Sequence, residues 1–148
     1  MSLLEQLTQD MKAAMKAREK ERLVTLRLLI SGIKGQVKDL KRDLTEQEEI
    51  SFLATEAKRR QESIAAYTEA DRADLAEKEQ SELAIIQVYL PAQLTEDEVK
   101  DILREIIAST GASSPREMGK VMGQAMPRLK GRFPGKEVKG LVLGLLNS

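Results

Sequence analysis

Four times along the chain a hydroxyl residue stands three positions ahead of a glutamate: Ser2–Glu5, Thr45–Glu48, Thr95–Glu98 and Ser114–Glu117. At that spacing the hydroxyl accepts from the glutamate's backbone N–H while the carboxylate reaches back to the N–H of the hydroxyl residue. Two donors that a helix start leaves orphaned are then satisfied together. Asp71 with Asp74 is a weaker version, and Pro115 follows Ser114 at the first helical position, where proline is tolerated. Apolar residues recur at three and four, and strand-like alternation is absent. The pattern predicts helices over 3–18, 20–42, 46–69, 72–89, 96–109, 115–130 and 135–146. The fold class is all-α.

The second helix carries Leu23, Val24, Leu26, Leu29, Ile30, Ile33, Val37 and Leu40, a stripe wider than a surface helix needs, so it is expected at the centre of its domain. The third is expected to expose Lys58, Arg59 and Arg60 beside Glu56 and Glu62. The fourth is expected to bury Leu75, Leu83, Ile86 and Tyr89. After it, "YLPAQLTEDEV" breaks the pattern: Pro91 stops one helix and Thr95 caps the next. We read it as a boundary between an N-terminal helical domain of about four helices, residues 1–90, and a small three-helix C-terminal domain, residues 91–148. The second domain, under sixty residues, lies near the lower limit for folding alone.

Lysine plus arginine equals aspartate plus glutamate at 24 each, so net charge alone points to no partner. Cysteine and histidine are both missing, which removes disulfides, thiol nucleophiles, imidazole bases and the usual zinc or iron ligands. No metal and no cofactor is expected. Glu5 and Asp10 argue against a targeting presequence, and no apolar run approaches the ~20 residues that span a bilayer. These features lead to the expectation of a soluble, cytoplasmic protein without a membrane partner. With two Tyr, two Phe and no Trp, base stacking has little to work with.

One segment stands apart. "MGKVMGQAMPRLKGRFPGKEV", from Met118 to Val138, has helical spacing yet carries glycines at 119, 123, 131 and 135. Met118, Val121, Met122, Ala125, Met126 and Leu129 form a core stripe. Glycine inside a helix costs about 1 kcal/mol against alanine, so Gly119 and Gly123 imply that something comes close to the backbone. Two readings stand: a neighbouring helix crossing tightly, or an external ligand. From Gly111 onward Arg116, Lys120, Arg128, Lys130, Arg132, Lys136 and Lys139 face only Glu117 and Glu137, an asymmetry that hints at a polyanion. Gly131 suits a positive φ after the sixth helix, and Gly135 leaves N–H groups uncovered at the start of the seventh. A helix N-terminus flanked by Arg132 and Lys136 suits phosphate. The spacing is not that of a nucleotide-binding glycine loop.

With these residues laid out, the chain resembles the YqeY family over essentially its whole length. The resemblance is carried by "EMGKVMGQAMPRLKGRFPGKEV", by "YLPAQLTEDEV" and by "KRRQESI". It implies two helical domains, and kinship of the C-terminal one with the tail of the GatB component of the tRNA-dependent amidotransferase, which amidates glutamate or aspartate already attached to tRNA. That tail is a tRNA-contacting appendage. Carried over residue by residue, Gly119, Lys120, Gly123, Lys130, Gly131, Arg132 and Lys136 match the tail motif. Where relatives commonly have alanine–aspartate, this chain has Phe133–Pro134, losing an aspartate that would cap the last helix.

The expected function is therefore a non-catalytic accessory module binding tRNA or another structured RNA. The alternatives are a protein-interaction adaptor with a protein partner, and carbon–nitrogen ligase activity with glutamine as nitrogen donor, exerted only in a complex. The catalytic half of the amidotransferase component has no counterpart here. Glu46, Glu48 and Glu49 lie in a first helical turn, and Glu77, Glu79 and Glu82 are read as a solvated face with no raised pKa. A ligase label would be inherited from the larger relative.

Overall fold

In the computed structural model, which describes residues 1–147, the chain folds into seven α-helices with one short 3₁₀ turn. They are α1 (Leu3–Lys16), α2 (Lys20–Leu40), α3 (Glu46–Glu69), α4 (Ala73–Gln87), α5 (Glu96–Thr110), α6 (Met118–Leu129) and α7 (Gly135–Leu146), with the 3₁₀ turn at Pro115–Glu117. No strand occurs among the described residues. The architecture is all-α.

The hydroxyl–glutamate pairs act unequally. Thr45 with Glu48 and Thr95 with Glu98 close both arms of the capping box. At Ser114 the Glu117 carboxylate accepts from the amides of Ser113 and Ser114. At Ser2 the hydroxyl accepts from Glu5 N at 3.1 Å, and the next amide, that of Leu3, donates to Glu49 Oε2 of α3, 2.8 Å away. Glu49 thus fastens two helices together as well as sitting in its own first turn. The Asp71–Asp74 version does not form, because Asp71 takes a left-handed φ of 58° and α4 begins two residues later with no side-chain cap.

The chain divides into two compact units, Met1–Leu90 and Pro91–Ser148. In the first, α1 and α2 pair, as do α3 and α4. Its core gathers Leu3, Leu7, Leu26, Leu29, Ile33, Phe52, Leu53, Leu83 and Ile86. Fully burying each large side chain contributes about 1.5–3 kcal/mol. Gly32 of α2 makes room for Phe52, whose ring tip would lie 2.7 Å from a Cβ there. The wide stripe of α2 is only partly covered, since Val24, Leu28 and Leu40 remain exposed. Leu75 and Tyr89 are half-buried, and the Tyr89 hydroxyl donates to the Asp10 carboxylate. That acceptor and burial push the Tyr89 pKa up to about 12, burial having the larger effect. Of the expected basic face on α3, Arg60 is not free: it folds down onto Glu56, which also takes Arg59 at 3.3 Å.

In the second unit α5, α6 and α7 pack around Val99, Leu103, Ile106, Val121, Ala125, Leu129, Val138, Val142 and Leu146. The methionines of α6 are half-buried against that core, filling gaps as flexible thioethers do. Each unit has a core of its own.

Candidate nucleic-acid interface

The buried stripe of α6 dictates what its other face presents. Val121, Ala125 and Leu129 point into the core, so residues two positions earlier, roughly 200° round the helix, point out. Those residues include Gly119 and Gly123, both exposed. A Cβ built on either would meet nothing within 4 Å. The tight helix crossing weighed for them is therefore not made among the described residues. Pro127 lies one turn on and has no N–H, so the Gly123 carbonyl loses the donor that an interior helix would give it. The outer face of α6 is bare main chain with Lys120 beside it. Lys120 is exposed and reaches Glu117 only at 3.9 Å.

The end of α6 is built differently from a simple glycine cap. Lys130 has φ −57° and ψ 127°, Gly131 has φ 75°, and Arg132 N donates to Leu129 O at 2.9 Å. That is a type II turn, whose third position requires positive φ and hence glycine. Gly131 therefore answers to backbone geometry. Arg132 is also committed. Its Nε donates to Ala92 O at 3.1 Å, its carbonyl accepts from Leu94 N at 2.8 Å, and the Gly131 carbonyl accepts from Gln93 Nε2 at 2.7 Å. Residues 92–94 thus strap the turn from outside. Sequence reasoning assigned Ala92 and Gln93 no such role, because the contacts reach across 38 to 40 positions.

Past the turn, Pro134 occupies the N-cap of α7 and offers no side-chain acceptor. The Glu137 amide is taken by the Pro134 carbonyl at 3.1 Å, while no side chain caps the first turn at Gly135 and Lys136. With Pro134 at the N-cap, that helix start carries no side-chain cap. Gly135 is exposed, and a Cβ there would only touch the Met126 methyl at 3.4 Å. Lys130 and Lys136 are exposed and, among the described residues, without an ion-pair partner. Arg128 is drawn to Glu105 at 3.7 Å.

The seven candidate residues do not converge on a point. From Gly119 to Lys130 the helix rises about 16 Å at 1.5 Å per residue. Gly119, Lys120 and Gly123 line the outer face of α6; Lys130, Gly131 and Arg132 make the turn beyond it; Lys136 sits one residue into α7. The arrangement is an elongated surface with bare backbone and separated cations, suited to a repeated anion rather than a small molecule. No group of His, Cys, Asp and Glu able to hold a metal occurs among the described residues.

One carboxylate contradicts its expected solvated state. Glu82 has a raised pKa, through burial first and the neighbouring Glu79 second. It lines a groove of about 570 Å³ between α2 and α4, with Val24 and Ile85 beside it. Reading Glu77, Glu79 and Glu82 as one polar face missed that Glu82 turns toward α2.

Fold and surface together define a class: two small all-helical units, the second presenting an open glycine face edged with cations. The chain belongs to the YqeY family, whose description, Yqey-like protein, matches residues 4–146. Among curated proteins it is 34% identical over 112 residues to "Altered inheritance of mitochondria protein 41, mitochondrial" of Kluyveromyces lactis, covering 74% of this chain and 60% of that protein. It is 31% identical over 138 residues to the protein of that name from Pyrenophora tritici-repentis, covering 91% and 75%. An uncharacterized protein of Schizosaccharomyces pombe is 33% identical over 78 residues, covering 53% and 63%. The chain spans 46% to 63% of the length of four such relatives. Relatives named as mitochondrial overturn the cytoplasmic expectation. It rested on missing cysteine and early acidic residues, and neither distinguishes one reducing compartment from another. No helix among the described residues is long and apolar enough to cross a membrane.

Proposed function

We propose that the chain is a non-catalytic accessory module that binds structured RNA, with tRNA as the preferred ligand, through the outer face of α6 and the turn into α7. The observation that carries this reading is the open backbone at Gly119 and Gly123, where a Cβ would find nothing within 4 Å. A phosphodiester can approach such a strip closely while Lys120, Lys130 and Lys136 supply charge. Half-buried Arg132 edges the same surface, its Nε being held by the Ala92 carbonyl. Recognition of this kind follows shape and phosphate, which suits a chain nearly devoid of aromatics. The likeness of the C-terminal segment to the GatB tail of the amidotransferase supports tRNA as the RNA. The reading assigns no chemical step to the chain.

A titration with tRNA tests it. Contact with about three to five phosphates gives a log–log salt slope of about −2 to −4. Lys130→Glu with Lys136→Glu should abolish most of the affinity; both side chains are exposed, so the fold is spared. Arg132 is left alone because it holds the strap. No binding at low salt, or binding indifferent to the double variant, refutes the proposal. The same bare glycine strip favours a second reading, a partner helix packed on α6, which recovery of a protein partner after nuclease treatment would support.

A further inference from the structure

The solvent face of α2 carries charge that its own unit does not compensate. Arg27 and Lys34 stand seven residues apart, Lys38 falls on the same stripe, and Lys41 follows at the C-cap with a left-handed φ of 59°. All four are exposed. None has a carboxylate at three or four positions in either direction, where a helical ion pair would form. None has an ion-pair partner among the described residues, although neighbouring Arg22 and Arg42 pair with Glu19 and Glu48. Lys34 with Lys38, and Lys38 with Lys41, are instead like-charge neighbours, which disfavour a helix. In a chain with equal numbers of acids and bases, such a stripe is not set by composition. The helix dipole accounts for Lys38 and Lys41 near the C-terminal end, but not for Arg27 and Lys34 in its middle. Lys20 continues the period, yet it borders the groove that also holds Glu19, Glu21 and Glu82. The uncompensated stretch therefore runs from Arg27 to Lys38, about 16 Å of helix, with Lys41 at the cap beyond it.

Between the cations stand Ser31 and Gly35, both exposed, and nothing lies within 4 Å of a Cβ built at Gly35. A ligand can thus settle close to the helix between the charges. We infer that this ridge is a second anion-binding surface, located on the N-terminal unit, and that its ligand is the phosphate backbone of a nucleic acid. Three separated cations on a rigid helix, with a fourth at its C-cap, complement a repeated point charge. A membrane surface fits less well: a helix lying in lipid needs a broad apolar face, and most of that of α2 goes to its own core through Leu26, Leu29, Ile30 and Ile33, leaving only Val24, Leu28 and Leu40 exposed. A protein interface fits less well too, because interface centres are depleted in lysine and enriched in aromatics, which this face lacks.

The test uses the full chain and a labelled RNA duplex of about 20 base pairs, a length that exceeds the ridge. Arg27→Gln with Lys34→Gln keeps good helix formers at exposed sites, and an unchanged circular-dichroism melt checks the fold. The expected result is roughly a tenfold loss of affinity at low salt and a salt slope shallower by about 2. Lys38→Gln with Lys41→Gln should act in the same direction and serves if the first pair perturbs folding. The Lys130→Glu, Lys136→Glu variant is measured in parallel. If it alone loses binding, the ridge proposal is overturned and the C-terminal reading stands; if the α2 variants alone lose binding, the reverse holds. Vesicles of phosphatidylcholine with phosphatidylglycerol supply the remaining arm. Vesicle binding lost in the α2 variants while RNA binding is untouched overturns the nucleic-acid assignment.

Discussion

Gly119 and Gly123 illustrate how a residue can weaken a helix and still be retained. Each lowers the helical stability of α6 by up to about 1 kcal/mol against alanine, and none of the described residues occupies the space left free. Stability and binding should therefore move in opposite directions. Gly119→Ala with Gly123→Ala is expected to raise the melting temperature by a few degrees while weakening tRNA binding several-fold, read by thermal denaturation and by the same titration. A rise in both would show that the strip is simply unoptimised. At this scale the sequence was legible where residue type alone decides: a glycine with no side chain, a proline with no amide. It was not legible where the partner is remote. Gly131 looked like a helix cap and is the third residue of a type II turn. Arg132 looked like a free cation and holds Ala92.

Helix starts carry the stability that can be tested locally. At the start of α3, Glu48 closes the capping box with Thr45 and also receives both Nη atoms of Arg42, at 2.7 and 3.1 Å. Arg42 first, and the Thr45 amide second, hold its carboxyl at about 2, well under the ordinary 4.5. A depressed carboxylate stabilises the fold above its ordinary pKa and loses that contribution as pH falls toward the folded value. Acidification from about pH 4.5 to about pH 2 should therefore destabilise the protein, and Glu48→Gln should lose less over the same window. Urea melts at three pH values check this; parallel curves for parent and variant would disprove it. Most element boundaries were readable to within two residues because capping and periodicity are local. The tie from Glu49 to Leu3 was not, since it depends on α1 and α3 meeting in space.

At the scale of the molecule, each unit has a closed set of core residues, and the two sets share no member. The fragment 1–90 should melt cooperatively alone. The fragment 91–148, with fewer than sixty residues, should fold with a lower melting temperature. Circular dichroism of the two separated pieces measures this, and a featureless melt for 1–90 would argue that its helices need the rest of the chain. The helical class and family could be read from spacing and motif. The covering of α2 could not, because a wide apolar stripe does not say how much of it a neighbour will reach, and Val24 and Leu28 stayed in water. Where a C-terminal piece is cut matters more than its helices suggest. A version beginning at Thr95 would retain α5, α6 and α7 complete, yet it would arrive without the short ribbon of main chain that cinches Gly131 and Arg132. Such a truncation would look intact by helix content and still have its cationic corner unbuckled.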